Sequence, residues 1–424
     1  MTAPGQSELI AADVAIGGGG MVGMTLGAAL AGAGLSVALI DQQPPAAMTA
    51  AAFDGRSSAI AFGSKRVFDG IAAWPTMAAE AEPILDIRVS DGDGQGGASR
   101  LFLHYDHRDL APADDEAPPF GYIVENRVTR RALLGRLNAL PNLRFIAPAK
   151  VVDIKRDSSS VVLSLDDGRW VEAKLAVAAD GRKSPVRHAA GIRTTEWSYS
   201  QTGIVCTVAH ERPHQGVAHE HFLAAGPFAM LPMVDDGGVH RSSIVWTERR
   251  ELAPAMMALS DDDFALEMER RFGLTLGRLR PIGPRFAYPL TLVHAERYVD
   301  RRLALLGDAA HAIHPIAGQG LNLGLRDVAA LAEAVVDARR LGLDIGDELA
   351  LERYQRWRRF DNLLLMAVTD GLNRLFSNDI APVRLGRDLG LAAVNRLPPL
   401  KRLLMRHAMG TVGDLPRLIR GERL

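Results

Sequence analysis

Residues 14–40 carry no charged side chain, and their apolar positions fall into distinct runs. A strand-like run at 14–16 passes through closely spaced glycines into a helical apolar pattern; a second strand-like run at 36–40 ends at Asp41. That order predicts a βαβ unit around a buried sheet. Residues 57–71 read as a helix. Short strand runs follow over 86–105, and a polar, proline-containing connection at 106–119 leads to a helix over 124–140 whose apolar face holds Val128, Leu133, Leu134 and Leu137.

Strands are predicted over 143–154 and 160–165, and a further buried strand ends at Asp180-Gly181 ahead of a helix carrying Arg187. From 195 to 298 strand runs and turns dominate, with one helix at 260–273, which predicts a mixed or antiparallel sheet forming the wall of a substrate cavity. Phe222, Phe228, Met230, Met233 and Trp246 are candidate lining residues, with a plain core position the alternative for each. Residues 303–306 make another buried strand, and a long helical pattern begins after AGQG. Near the C-terminus, Pro398-Pro399 divides an amphipathic stretch into two shorter pieces.

At 424 residues the chain accommodates two substantial folding units, one of which can be inserted in the other. A formal net charge of -1 gives no reason to invoke nucleic acid, and Cys206, the single cysteine, rules out an intramolecular disulfide or a cysteine-based zinc cluster. The glycines within 14–40 and the acid beyond favour a nucleotide fold over a membrane span. The opening residues hold Glu8 and Asp13 but no Lys or Arg, unlike a signal peptide.

The chemistry follows from where the glycines and acids fall. Gly18, Gly20 and Gly23 fit G-x-G-x-x-G: a tight turn, an open path for a pyrophosphate, and close helix-to-sheet packing. Asp41 is placed to accept ribose hydroxyls. Gly92, Gly94 and Gly97 match the same spacing, but no apolar helix follows, so they read as a hairpin or loop. Arg56 is a candidate for the cleft, with a solvated surface position the alternative, and Arg127 opens the 124–140 helix where a cofactor can approach.

Asp180, Gly181 and Arg187 form a second possible contact with the same dinucleotide. Gly307 and Asp308, at the end of a strand, put a carboxylate beside a polyhydroxyl chain, while Pro315, Gly318 and Gly320 precede a helix whose N–H groups can face a pyrophosphate or an isoalloxazine carbonyl. FAD has the ribitol chain and ring that explain this second site; NAD has neither. His311 and His314 supply only half of a metal site. No Ser/His/Asp set sits in the strand-turn-helix context of a hydrolase nucleophile.

These segments, with AADGRKSPVR at 178–187 and LLGDAAHAIHPIAGQGLNLGLRD at 305–327, resemble the class A flavoprotein monooxygenases, most closely their ubiquinone-biosynthesis hydroxylase branch. The likeness covers most of the chain; Gly17 and the residue ahead of Asp180-Gly181 depart from the usual pattern. It implies an α/β fold with an FAD-binding Rossmann-like domain, an interleaved mixed-sheet substrate domain and a helical C-terminus. The expected division gives 1–75, 121–190 and 299–370 to the FAD domain, 76–120 and 191–298 to the substrate domain, and 371–424 to the C-terminal region.

The resemblance further implies noncovalent FAD held in part by Asp308 and Arg187, NAD(P)H as a transient reductant, and O2 transfer through a flavin C4a-hydroperoxide to a polyprenylated phenol. No catalytic base can be named. The alternatives are hydroxylation of a small soluble aromatic, a flavin-dependent reductase, or a non-enzymatic flavin-bound assembly protein. A cytoplasmic protein is expected, with peripheral contact on the inner membrane face and a ubiquinone-biosynthesis complex as possible partners. Residues 371–424, with ten Lys/Arg against four Asp/Glu, are the candidate contact region; the alternatives are that their apolar residues close the substrate domain while the arginines face water, or that they meet a protein partner alone.

Overall fold

A computed structural model describes residues 8–50, 56–92, 98–110, 117–313, 318–377 and 381–424. The nucleotide sheet is ordered Val299–Asp300, Leu303–Leu305, Trp170–Ala178, Leu9–Gly17, Val37–Ile40, Leu143–Ile146, with Val161–Leu165 added antiparallel to Trp170–Ala178 and Val151–Arg156 antiparallel to Val161–Leu165. Leu303–Leu305, Trp170–Ala178, Leu9–Gly17, Val37–Ile40 and Leu143–Ile146 pair in parallel. Helix Met21–Gly32 packs on this sheet and is buried from Gly23 to Ala31, which is why the sequence can omit charge there.

The expected strand over 143–154 is two strands. Pro148, which has no N–H to give a ladder, stands between Leu143–Ile146, which joins the parallel sheet, and Val151–Arg156, which pairs in the antiparallel hairpin. The helix expected over 57–71 also divides: Ser57–Ala61 is a strand paired with Gly121–Glu125, and only Phe62–Gly70 is helical. Tertiary pairing overrides local pattern there. Strand Ala81–Ile84 completes this three-stranded sheet.

The large sheet is ordered His311–Ala312, Leu279–Ala295, Thr194–His210, Val239–Arg249, Gly226–Asp236, Val217–Leu223, Asp86–Gly92, Ala98–Asp106. It is mixed, because Val217–Leu223 and Asp86–Gly92 run parallel while the other neighbours are antiparallel. Asp86–Gly92 and Ala98–Asp106 pair antiparallel on either side of the misleading glycine spacing, of which Gly94 and Gly97 lie outside the described residues.

Helix Gln319–Arg340 is buried along most of its length against the nucleotide core. Helix Glu348–Phe376 runs straight through the expected boundary at 370/371, and Pro398-Pro399 opens a new helix, Pro398–Ala408, after Ala381–Asn395. The C-terminal residues are built into the molecule: Met405 and Met409 join the apolar cluster of Leu103, Phe120 and Ile123, while Leu418 and Ile419 join the nucleotide core. Among the described residues no helix is long and apolar enough to cross a membrane.

Candidate active site

The first glycine turn has the geometry a pyrophosphate needs. Gly18 sits at φ 109°, and a Cβ there would come 2.3 Å from the Ala179 carbonyl oxygen; a Cβ on Gly23 would lie 1.9 Å from the oxygen of Gly18. Those glycines are fixed by backbone crowding. Gly20 differs, since a Cβ there would meet nothing within 4 Å. It caps helix Met21–Gly32 without a side-chain bond, so the first-turn N–H groups, which have no acceptor within the helix, open onto the cleft.

That cleft, about 530 Å³, is lined by Gly18, Gly20, Asp41, Asp180 and Gly181, so five candidates from three separated segments converge. Asp41 accepts the Gly19 N–H at 2.6 Å and the Gln43 N–H at 2.7 Å, which fixes its carboxylate at the rim. Burial raises its pKa, opposed by these two N–H groups. Asp180 is also pushed up by burial. One of its oxygens takes the Val186 N–H at 3.3 Å, while Oδ1 is buried and lacks a hydrogen-bond partner among the described residues. An orphaned acceptor beside a glycine cradle fits a hydroxyl-bearing dinucleotide such as FAD.

Neighbouring residues connect this cleft to a second cavity: Gly181 and Lys183 line the first, and Arg182 between them lines the other. The second cavity, about 330 Å³, brings together Arg56, Asp308, Gly318 and Gly320. Arg182 donates from Nε to Asp308 Oδ2 at 3.2 Å, and the Arg56 guanidinium lies 4.9 Å over the Tyr288 ring. Gly318 begins helix Gln319–Arg340 at φ 61°, and Gly307 has φ 56°. Asn322 anchors this helix start by accepting the Ala61 N–H and donating to the Ala59 oxygen, each at 2.9 Å. Pro315 and His314 lie outside the described residues.

Arg187 and Arg127 line neither cavity. Arg187 is buried, and it donates to the carbonyl oxygens of Ala309 at 2.8 Å and Arg182 at 2.7 Å. It therefore braces the Asp180 loop against the Asp308 turn instead of presenting its charge to a phosphate. Arg127 turns back to Glu125, with Nε 2.6 Å from Oε2.

The cavity wall corrects the other lining candidates. Phe228, Met230 and Trp246 belong to a core cluster with Phe264 and Phe272, Phe222 packs on Phe376, and Met233 packs elsewhere in the core. Side chains alternate along strands, so the cavity takes their neighbours: Ala229, Leu231 and Val245, with Val205 and Gly203 from the adjacent strand. Glu220, paired in register with Ala229, is the carboxylate on this otherwise apolar sheet face.

Sequence reasoning missed a buried charge network behind the Asp308 turn. Asp327 is fully buried on helix Gln319–Arg340, and His311, weighed earlier as half a metal site, lies with Nε2 2.5 Å from its Oδ2. Arg358 donates to Oδ1 at 2.8 Å and to Asp361 at 2.6 Å. Burial would raise the Asp327 pKa, but His311 and Arg358 outweigh it and hold the carboxyl near 2. One signal was available: an acid flanked by Leu323, Leu325 and Val328 on the apolar stretch of a helix needs buried partners.

The comparisons agree with this geometry. Residues 11–359 match the family model described as an FAD binding domain. The chain is 55% identical to the ubiquinone hydroxylase UbiL of Rhodospirillum rubrum, covering 97% of this chain and 94% of that one. It is 34% identical to the 3-demethoxyubiquinol 3-hydroxylase of Escherichia coli, over 94% and 98% of the two chains. In fold it resembles the p-nitrophenol 4-monooxygenase PnpA of Pseudomonas putida, with TM-score 0.77 and 20% identity over 96% and 99%. With a glycine cradle, an orphaned carboxylate oxygen and an apolar cavity meeting at one edge, the chain belongs to the family of FAD-dependent monooxygenases that includes the ubiquinone hydroxylases.

Proposed function

We propose that this protein hydroxylates the aromatic ring of a polyprenylated phenol in ubiquinone biosynthesis, with noncovalent FAD, O2 and NAD(P)H as transient electron supply. The observation that carries the reading is the apolar cavity bounded by Asp308, Gly318 and Gly320 on one side and by Ala229, Leu231 and Val245 on the other. Bound FAD, reduced by NAD(P)H, would supply the chemistry that places one atom of O2 on an electron-rich ring and releases the other as water.

The protein's part is holding and shielding. Gly18 and Gly20 leave the pyrophosphate its path, Asp41 and Asp180 accept ribose or phosphate-side hydroxyl hydrogens, and Asp308 accepts from the ribitol. The apolar wall excludes water and sets the ring against the flavin edge. Glu220 accepts the phenolic O–H and so orients the ring. A cavity of this size takes an aromatic head, and a long prenyl tail leaves through its mouth.

Peripheral membrane contact is part of this reading. Phe360, which is 73% exposed, with Leu363, Leu364 and Val368, forms an apolar face on helix Glu348–Phe376. Phe360 and Leu364 also border a cleft carrying Arg356, beside Arg353, which pairs with Glu333 and Asp337, and Arg420, which pairs with Glu422. An apolar face beside arginines suits an anionic bilayer surface on the cytoplasmic side.

The deciding experiment supplies prenylated and unprenylated phenols to anaerobically reduced enzyme and then admits isotopically labelled O2. Labelled hydroxyl on the prenylated ring is expected. Label found only in soluble phenols rejects the lipid substrate, and flavin reoxidation without labelled product rejects the hydroxylase reading.

A further inference from the structure

Strand Leu303–Leu305 belongs to the nucleotide sheet and strand His311–Ala312 to the substrate sheet, so residues 306–310 are where the chain crosses from one to the other. Asp308, on the cavity, lies within this crossing, and Ala312 and Ile313 line the same cavity immediately after it. The placement of the crossing therefore sets the cofactor-side carboxylate against the substrate wall.

Both ends of the crossing are tied to one carboxylate. At the start, Gly307 donates its N–H to Asp327 Oδ2 at 3.2 Å; at the end, His311 Nε2 lies 2.5 Å from the same oxygen. An ionised carboxylate only accepts, so Nε2 carries the hydrogen. The other oxygen is held by Arg358 Nε at 2.8 Å and Asn362 Nδ2 at 3.3 Å. Arg358 is fixed in turn by Asp361 and by Asn362 Oδ1 at 2.8 Å. Asp327 is thus immobilised from behind through Oδ1, and Oδ2 holds the crossing.

We propose that Asp327, acting through Gly307 N–H and His311, is the positioning residue that sets the Asp308 turn for the ribitol and ring portion of FAD. Stability alone does not account for the arrangement, because buried ion pairs are often no more stabilising than apolar packing of the same shape. What a carboxylate adds is direction: it gives the buried Gly307 N–H, at φ 56°, an acceptor and fixes the His311 ring beside it. The proposal rests on the reading of the cleft as an FAD site.

The test uses the full chain in apo and FAD-loaded forms. Asp327 is left in place, since removing its charge leaves buried Arg358 and Arg326 to share Asp361. His311→Leu keeps the volume and loses the donor; His311→Gln returns an N–H near the Nε2 position. FAD Kd, the flavin absorption band and the Tm of both forms are measured. For His311→Leu, Kd rises about tenfold, the scale of one hydrogen bond to a charged group, the flavin band shifts, and the FAD-induced rise in Tm shrinks. His311→Gln recovers most of the affinity. Equal Tm loss in apo and loaded forms with unchanged Kd would show a packing role alone and overturn the proposal, as would a Gln variant no better than Leu. Wild-type FAD binding, measured alongside, tests the cofactor reading separately; failure there removes both.

Discussion

Gly20 and Gly23 are two residues of one motif held glycine for different reasons, and substitution separates them. A side chain at Gly20 meets no protein atom, so Gly20→Val is expected to leave the apoprotein's Tm near wild type while FAD affinity falls on the order of a hundredfold, from about 2–3 kcal/mol of steric loss. Gly23→Ala puts a Cβ into the Gly18 carbonyl and lowers the stability of the apoprotein itself, by about 1–3 kcal/mol in chemical denaturation. Three buried histidines contribute to the pH response. Burial pushes His219 down to about 3 and both His221 and His294 to about 4. An unfolded histidine binds its proton near pH 6.5, so between there and pH 4 the unfolded chain holds more protons and stability falls as pH is lowered. His221→Asn, which keeps an amide near the Ser90 hydroxyl that lies 2.6 Å from Nδ1, should flatten that slope by up to about one proton. An unchanged slope in the denaturation midpoints would show that His221 does not titrate on unfolding.

Strand Gly226–Asp236 divides its two faces between different tasks. Phe228 and Met230 fill the core, while Ala229 and Leu231 shape the cavity, so adjacent substitutions have opposite signatures. Phe228→Ala is expected to cost about 3–5 kcal/mol of stability. Ala229→Phe fills the cavity opposite Asp308; phenol binding, followed by titration of the flavin absorption, weakens at least about tenfold while FAD Kd is unchanged. Loss of FAD with that variant would mean the cavity and the cofactor turn are not separable. The helix Gln319–Arg340 shows the same division end to end. Its start, with Gly318, Gly320 and Leu321, faces the cavity, and its middle, with Asp327, fixes the crossing between the sheets.

Across the molecule, the C-terminal region closes the fold instead of hanging from it. A chain ending near Asp370 would cut helix Glu348–Phe376 and remove Met405, Met409, Leu418 and Ile419 from the core, so shortening cannot test membrane contact. Point substitutions can. Phe360→Glu with Leu364→Glu places two acids on the exposed face and should reduce flotation with anionic vesicles, with Tm and FAD content unchanged. Undiminished flotation would exclude this face as the contact.

The sequence by itself determined the parts whose physics is local. Glycine spacing between a strand run and a helical run, an acid at a strand end, and a proline pair inside an amphipathic stretch each constrain their own few residues, and Gly18, Gly20, Gly23, Asp41, Asp180, Gly307 and Asp308 were legible for that reason. Arg56 was legible as a candidate, but its cavity position depends on strands far from it in sequence. The tertiary structure alone decided which face of the large sheet lines the cavity, because a one-residue difference in register exchanges Phe228 for Ala229 and Trp246 for Val245. It also decided that Arg187 braces two loops and that Asp327 ties the two sheets together. Those roles arise from donors and acceptors brought into contact from distant segments, where a buried charge must find partners and local pattern cannot say which.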